Sequence, residues 1–230
     1  MAEPPASGNR KSLGQAVAAM VRPLAVAGIA LAAMLAGPAP AAAQAAACRI
    51  AVLGDSLTAA YGLSVNEGFP ARLQAALRAA GRDCVVIDAG VSGDTSAGGL
   101  GRVDWVLADR PSHLIVELGA NDALRALPTG QLEQNLDAIV AKAKAADVPV
   151  FLAGMLAPPN LGAAYGNSFR QVYQDVAARH DIPLYPFFLD GVAGDRTLNL
   201  PDGIHPTPAG IDIIVERIAP AIQQWLDEVS

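Results

Sequence analysis

Three side chains of this sequence have the types and the order that nucleophilic catalysis by a serine requires. Ser56 follows an apolar run at residues 50–53, and Asp202 and His205 lie three positions apart near the other end of the chain. A serine hydroxyl is a weak nucleophile at neutral pH unless a base such as histidine takes its proton. A carboxylate on the second imidazole nitrogen holds the histidine in the tautomer that accepts this proton. Ser56, Asp202 and His205 are therefore candidates for nucleophile, orienting carboxylate and base.

Two further residues could stabilise the negative charge that develops on a carbonyl oxygen under attack. Gly93 offers a closely approachable backbone N–H, and Asn121 offers a side-chain N–H, beside the backbone N–H of Ser56. Structural roles account for the same residues in another way. Ser56 could cap a helix, Gly93 could form only a tight turn, Asn121 could bond only its local backbone, and Asp202 could be only a turn former.

A parallel sheet covered by helices would bring these residues together. The strand-like runs are residues 50–53, 84–89, 113–118, 148–153 and a shorter extended stretch at 182–188. The helical patterns are residues 70–80, 99–109, 131–146, 169–180 and 208–229. Strands that alternate with helices imply a parallel sheet with right-handed crossovers. One α/β domain from residue 46 to residue 230 is expected.

The candidate residues lie in four loops, and we expect these loops to converge. They are residues 54–58, 92–95, 119–122 and 202–205. Parallel strands place their carboxyl ends on one edge of a sheet, where ligands bind. Asp55 and Asp94 adjoin these loops and are interpreted as acceptors that stabilise them. Trp105 and Trp225 lie on predicted helices and are expected to be packing residues.

Residues 1–43 have the pattern of a cleaved secretory signal peptide. Three basic residues precede a short apolar run at residues 24–36, and alanine-rich sequence follows, with cleavage expected after Ala43 or Ala47. A membrane anchor and a lipoprotein with its lipid on Cys48 are the alternatives, but the apolar run is short for a bilayer span. The expected product is a periplasmic or secreted protein without a stable membrane anchor.

Composition and charge narrow the class of protein further. The chain has 230 residues, of which 52% are hydrophobic and 17% charged, so it can bury one sizeable core. Loss of the leader removes three basic residues and one acidic residue, which takes the formal charge from −6 to −8. No basic patch occurs, so nucleic acid is not an expected partner. A monomer that acts on a small molecule or lipid is expected.

Two cysteines, Cys48 and Cys84, each stand at the start of a predicted strand. If these strands are parallel neighbours, the cysteines lie side by side, and export would favour a disulfide between them. Two buried free thiols are the alternative. Two cysteines alone do not form a usual zinc site, and no metal is expected.

Four blocks of the sequence together resemble the SGNH (GDSL) hydrolase family. They are Gly54-Asp55-Ser56-Leu57, Ser92-Gly93-Asp94, Gly119-x-Asn121-Asp122 and Asp202-x-x-His205. Residues 116–122, 183–188 and 202–206 further resemble the bacterial multifunctional thioesterase I, arylesterase and lysophospholipase subgroup. The match spans the mature chain, and four ordered blocks are far more specific than any one of them.

The resemblance implies a three-layer α/β/α, flavodoxin-like fold with a parallel five-stranded sheet. It also implies Ser56, Asp202 and His205 as the triad, and Ser56, Gly93 and Asn121 as the oxyanion hole. Such an enzyme cleaves acyl esters and thioesters through an acyl-enzyme and needs no cofactor.

The substrate pocket is where the sequence departs from the family pattern. Relatives often carry an aromatic residue after Pro-x-Asn beyond the fourth strand, whereas Leu161 stands here, with Tyr165 nearby. The candidate pocket residues are Leu57, Leu161, Tyr165 and Ile204.

Other functions compete with this one. An ordinary α/β-hydrolase is disfavoured because no serine lies in a Gly-x-Ser-x-Gly elbow. A carbohydrate O-acetylesterase of the same superfamily would use the same triad with a different pocket. A catalytically silent lipid- or glycan-binding module is disfavoured by the complete set of catalytic residue types.

Overall fold

The computed structural model describes residues 48–229, and the predicted signal peptide lies outside this part of the chain. Its five strands form one sheet in the order β2-β1-β3-β4-β5, and every neighbouring pair is parallel. The strands are β1 (Arg49–Gly54), β2 (Val85–Gly90), β3 (His113–Glu117), β4 (Val150–Ala153) and β5 (Leu184–Tyr185). The predicted parallel five-stranded sheet is confirmed.

Six α-helices cover the two faces of this sheet within residues 48–229. They are α1 (Phe69–Ala79), α2 (Ser96–Ala108), α3 (Ala120–Leu124), α4 (Thr129–Ala145), α5 (Ala163–His180) and α6 (Pro208–Glu228). In this order β2 lies on one side of β1, whereas β3, β4 and β5 follow on the other side. Right-handed connections therefore place α1 on one face of the sheet and α2, α4 and α5 on the other. The packing agrees, because α1 contacts α6 whereas α4 contacts both α2 and α5. The fold is the three-layer α/β/α arrangement that the sequence predicted.

The central strands are buried on both faces. All residues of β4 and all but the first of β1 and β3 are buried, as expected for parallel strands with helices on each side. No helix within residues 48–229 has the length and apolar composition needed to cross a bilayer.

The strand ends are level at the edge that carries the candidate residues. In the sheet register, Gly54 at the end of β1 pairs with Gly90 of β2 on one side and with Glu117 of β3 on the other. The loops that leave these three strands therefore begin next to one another, as the parallel topology requires.

Cys48 and Cys84 form a disulfide at the other end of the strands, where β1 and β2 begin. The β1–β2 register pairs Arg49 with Val85, so the two preceding residues lie side by side. The structure therefore contains the bridge that the sequence predicted, and such bridges persist mainly outside the reducing cytoplasm.

Two helices differ most from the prediction. α5 begins at Ala163, six residues before the predicted start, and its first part was not predicted because residues 163–168, none of which is buried, show no apolar period. α3 was predicted as loop, and its five residues are too few to show a helical period.

The expectation that both tryptophans are packing residues is right only for Trp225. Trp225 is 2% exposed and contacts Phe151, whereas Trp105 is 83% exposed. α2 turns Val103 towards the core, and Trp105, two positions further on, projects from the other side of the helix.

Candidate active site

Ser56 lies in a tight turn that follows β1. The Asp55 carboxylate accepts a hydrogen bond from the Leu57 N–H at 3.0 Å, which closes the turn. The strand ends on glycine because a Cβ at Gly54 would overlap the hydroxyl of Thr58. The Ser56 side chain reaches the wall of a cavity at this edge of the sheet.

His205 joins Ser56 to Asp202. Its Nε2 lies 2.9 Å from Ser56 Oγ, and its Nδ1 lies 2.7 Å from Asp202 Oδ2. A proton on Nδ1 that is donated to Asp202 leaves Nε2 free to accept the serine proton. The structure therefore brings the three residues of the predicted triad into one chain of hydrogen bonds.

Local backbone bonds hold the Asp202 carboxylate in its ionised form. Asp202 Oδ1 accepts hydrogen bonds from the N–H of Ile204 at 2.9 Å and of His205 at 3.1 Å. The bond from Ile204, followed by those from the His205 side chain and backbone, lowers the pKa of Asp202 to about 2. Gly203 lies between the partners with a φ of 72°, a conformation that favours glycine.

Gly93 and Asn121 line the same cavity as Ser56. Gly93 follows β2 with a φ of 83°, and Asn121 lies in the short helix α3. Asn121 Nδ2 donates a hydrogen bond to Asp55 Oδ2 at 3.0 Å, so its second amide proton stays free for a ligand. The structure thus brings the predicted oxyanion-hole residues to one cavity, and the side chain of Asn121 bonds Asp55 rather than its local backbone.

Two buried acids lie beneath this site, and their raised pKa values have a common cause. Burial raises the pKa of Asp55 to about 6. Burial, followed by repulsion from Asp55, raises the pKa of Glu117 well above its usual value. Glu117 Oε2 accepts the Thr58 hydroxyl at 2.9 Å, whereas Oε1 has no partner among residues 48–229. The predicted loop-stabilising role of Asp55 agrees with its bond from the Leu57 N–H, whereas no role was predicted for Glu117.

Arg102 of α2 connects the loops on either side of the site. Its guanidinium donates to the carbonyl of Gly54 at 2.7 Å, to that of Ala89 at 2.6 Å and to Asp94 Oδ2 at 2.6 Å. These acceptors belong to the end of β1, the end of β2 and the loop that contains Gly93. Sequence reasoning missed Arg102, because an arginine within a helical pattern usually indicates a solvated face.

The cavity at this edge has a volume of about 850 Å³. Apart from Ser56, Gly93, Asn121 and His205, its wall is mostly apolar. The remaining lining includes Leu57, Tyr61, Leu124, Met155, Leu156, Pro158, Pro159, Phe187, Leu189 and Ile204. Of the described residues that line it, none is a lysine, arginine, aspartate or glutamate.

The four predicted pocket residues divide into two pairs. Leu57 and Ile204 line the cavity, whereas Leu161 and Tyr165 do not. The Tyr165 hydroxyl donates to the Leu127 carbonyl at 2.8 Å, and its ring stacks on Phe169, which turns it away from the site. The expectation that Leu161 and Tyr165 form the pocket is therefore corrected.

Tyr61 is a cavity residue that sequence reasoning missed. Its ring lies against the imidazole of His205. The only available signal was an aromatic residue five positions after the serine, in a loop without other aromatics.

Within residues 48–229, no group of three or more histidine, cysteine or acidic side chains is arranged to hold a metal.

Comparisons with known proteins identify the class of protein to which this fold and site belong. The model of the GDSL-like Lipase/Acylhydrolase family matches residues 52–213. Esterase TesA of Pseudomonas aeruginosa is 44% identical over 184 residues, which cover 80% of this chain and 92% of TesA. Thioesterase 1/protease 1/lysophospholipase L1 of Escherichia coli K12 is 36% identical over 187 residues, which cover 81% of this chain and 88% of that protein.

A solved structure supports the same conclusion. The psychrotrophic esterase EstA from Pseudoalteromonas sp., inhibited by monoethylphosphonate, superposes with a TM-score of 0.75 at 36% identity. The match covers 78% of this chain and 99% of EstA. The fold and the cavity at its strand ends are those of an ester hydrolase of the SGNH type. The chain belongs to the GDSL-like lipase/acylhydrolase family.

Proposed function

We propose that the protein cleaves acyl esters and thioesters through an acyl-enzyme intermediate on Ser56. The observation that carries this proposal is the hydrogen-bond chain from Ser56 Oγ through His205 to Asp202, which opens into a largely apolar cavity. EstA, with a similar fold, was solved in a form inhibited by monoethylphosphonate. Phosphonates of this kind modify activated serines, which supports the same chemistry here.

In the proposed acylation step, His205 Nε2 takes the hydroxyl proton as Ser56 Oγ attacks the substrate carbonyl carbon. The resulting oxyanion accepts hydrogen bonds from the N–H groups of Ser56 and Gly93 and from the free amide proton of Asn121. The imidazolium then protonates the departing alcohol or thiol as the bond to it breaks. Asp202 stays ionised throughout and keeps Nδ1 protonated.

In the proposed deacylation step, the same base acts on water. His205 Nε2 takes a proton from the water molecule as its oxygen attacks the acyl carbon. The second tetrahedral intermediate uses the same oxyanion donors. Its collapse returns the proton from His205 to Ser56 Oγ and releases the carboxylic acid.

The cavity wall favours an acyl chain over a sugar. A carbohydrate O-acetylesterase must satisfy several sugar hydroxyls, which requires more polar side chains than this wall offers. The names of the relatives, esterase and thioesterase 1/protease 1/lysophospholipase L1, agree with acyl esters and thioesters as the substrate class.

We also propose that the protein acts outside the cytoplasm, in the periplasm or beyond it. Support comes from the signal-peptide pattern of residues 1–43 and from the disulfide between Cys48 and Cys84. The intact mass of the exported protein should correspond to a chain that begins between residues 44 and 48. A chain that retains residues 1–43 would contradict this.

A fluorophosphonate probe tests the catalytic assignment. The wild type should be labelled on Ser56, and Ser56→Ala should be neither labelled nor appreciably active. Ser168→Ala, which changes an exposed serine of α5, should match the wild type.

Combining Ser56→Ala with His205→Ala should lower the residual kcat little further than the worse single change, because the residues act as one unit. Losses that multiply would mean that Ser56 and His205 do not share one mechanism. A wild type that is not labelled would indicate a catalytically silent binding module.

A further inference from the structure

The ring of Tyr61 lies on the ring of His205. The two ring centroids are 4.3 Å apart, and the planes are inclined by 31°. Tyr61 also lines the cavity, with half of its surface exposed. The face of an aromatic ring carries negative charge and attracts a cation that lies within about 6 Å of its centroid. An imidazolium at His205 would lie within that distance.

The backbone around Tyr61 holds the ring in this position. Ala60 and Gly62 have φ values of 54° and 75°, a conformation that residues other than glycine rarely adopt. The Tyr61 N–H donates to the Ser56 carbonyl at 3.2 Å, and the Leu63 N–H donates to the Ala60 carbonyl at 2.9 Å. The turn that presents the serine therefore also presents the tyrosine ring to the histidine.

We propose that Tyr61 stabilises the protonated imidazole of His205 during acylation and deacylation, through cation–π attraction between the two rings. The inference rests on the proposed role of His205 as the base. Its consequence is that part of the transition-state stabilisation comes from a residue outside the four sequence blocks that define the site.

Three other groups interact with the imidazole besides Tyr61. Asp202 bonds Nδ1 and Ser56 bonds Nε2, while the buried Asp55 interacts with His205 through its charge. The Tyr61 ring itself carries one further titratable group, its phenol hydroxyl. A comparison of Tyr61→Phe with Tyr61→Leu separates the effect of this hydroxyl from that of the ring face.

The test is the pH dependence of kcat/KM in Tyr61→Leu, with a neutral p-nitrophenyl ester as substrate. On the plateau above the ionisation of the base, the wild type should exceed the variant by about two- to fivefold, which corresponds to an exposed cation–π contact. On the acid limb this ratio should fall towards one. The lost attraction destabilises the protonated ground state and the transition state equally there, so the acid limbs coincide and the midpoint of the variant's profile moves to lower pH.

Three further variants complete the experiment. Tyr61→Phe keeps the ring face, so the midpoint of its profile should lie at the same pH as that of the wild type. Tyr61→Trp presents a stronger π face and should move the midpoint to higher pH, the opposite direction to Tyr61→Leu. Trp105→Leu, which removes an exposed aromatic ring outside the cavity lining, should have the wild-type profile.

A ratio that stays constant across the pH range would overturn the proposal, because it would mean that Tyr61 only shapes the site. Equal midpoints in the pH profiles of the leucine and tryptophan variants would overturn it as well. Failure of the proposed function has a different signature. In that case the wild type itself is not labelled by the fluorophosphonate, whatever residue stands at position 61.

Discussion

At the scale of single residues, the amide group of Asn121 links a buried acid to the cavity. One of its protons is donated to Asp55, and the side chain lines the cavity beside Ser56 and Gly93, where we propose that the other proton serves the oxyanion. The buried Asp55 carboxylate is a strong acceptor once it is ionised, which is the case above its pKa of about 6. The aspartate of the first sequence block therefore orients the asparagine of the third.

Replacement of Asn121 by alanine should lower kcat by roughly 10²–10³-fold, which is typical for the loss of one oxyanion donor. KM should change little, because the donor acts mainly on the charge of the transition state. Steady-state kinetics of Asn121→Ala would be compared with those of Asn167→Ala, an exposed asparagine of α5. Wild-type turnover in Asn121→Ala would show that the side chain has only a structural role.

At the scale of elements, Arg102 fixes the relative position of two loops that leave neighbouring strands. Its three acceptors lie at the ends of β1 and β2 and on Asp94, next to Gly93. A planar guanidinium carries five N–H donors in a rigid fork, so it can hold several acceptors at fixed relative positions. We expect the distance between the N–H groups of Ser56 and Gly93, and with it the geometry of the proposed oxyanion hole, to depend on these three bonds, the Arg102 clamp.

Arg102→Lys should lower kcat by roughly tenfold to 10²-fold, since a displacement of about 1 Å in a catalytic group has an effect of this size. Turnover would be measured per active site titrated with the fluorophosphonate, which removes any unfolded fraction from the comparison. Gly98→Ala should act in the same direction, because its Cβ would overlap the Asp94 carboxylate.

Arg82→Lys is the matched control for this clamp. Arg82 forms an ion pair with Asp227 and has a similar exposed fraction, 27% against 21% for Arg102. It precedes β2, at the opposite edge of the sheet. Equal turnover per titrated site in all of these variants would contradict the clamp.

At the scale of the whole molecule, the disulfide and the buried acids act on stability in opposite directions. The bridge closes a loop with a sequence separation of 36 residues, which in the chain-entropy model stabilises the fold by roughly 3–4 kcal/mol. Asp55 and Glu117 are buried beneath the active site, where ionisation is unfavourable. The ionised Asp55 carboxylate, which accepts the bond from Asn121, therefore lowers the stability of the protein at neutral pH.

Asp55→Asn should become more stable relative to the wild type as pH rises. Burial raises the pKa of Asp55 to about 6 in the folded protein, against an ordinary value of 3.8, so the wild type loses stability as pH rises between these values. The relative gain between pH 4 and pH 7 should be about 2–3 kcal/mol, measured as the free energy of unfolding in urea.

The lowered pKa of Asp202 acts in the opposite sense, but only below pH 4, outside this window. The same Asp55→Asn variant should lose activity, because Asn121 is no longer oriented. A stability difference that does not vary with pH would show that the pKa of Asp55 is the same in the folded and the unfolded protein.

The sequence by itself was sufficient for the fold class, the bridge and the residues of the candidate triad. Apolar periods are properties of neighbouring residues, so the alternation of strands and helices is visible without a structure. A parallel sheet then places its loops on one edge, which brings Ser56 near Asp202 and His205. The same topology places Cys48 beside Cys84, because both directly precede paired strands.

Only the tertiary structure decided which other residues reach the site. Tyr61 lies against His205 although 144 positions separate them, and Arg102 bonds two strand ends from a helix that the sequence placed only approximately. Tyr165 was expected in the pocket, but the rotation of α5 turns it towards Leu127. The direction of a side chain depends on how its element packs against the others, and the local pattern of a sequence carries little information about that rotation.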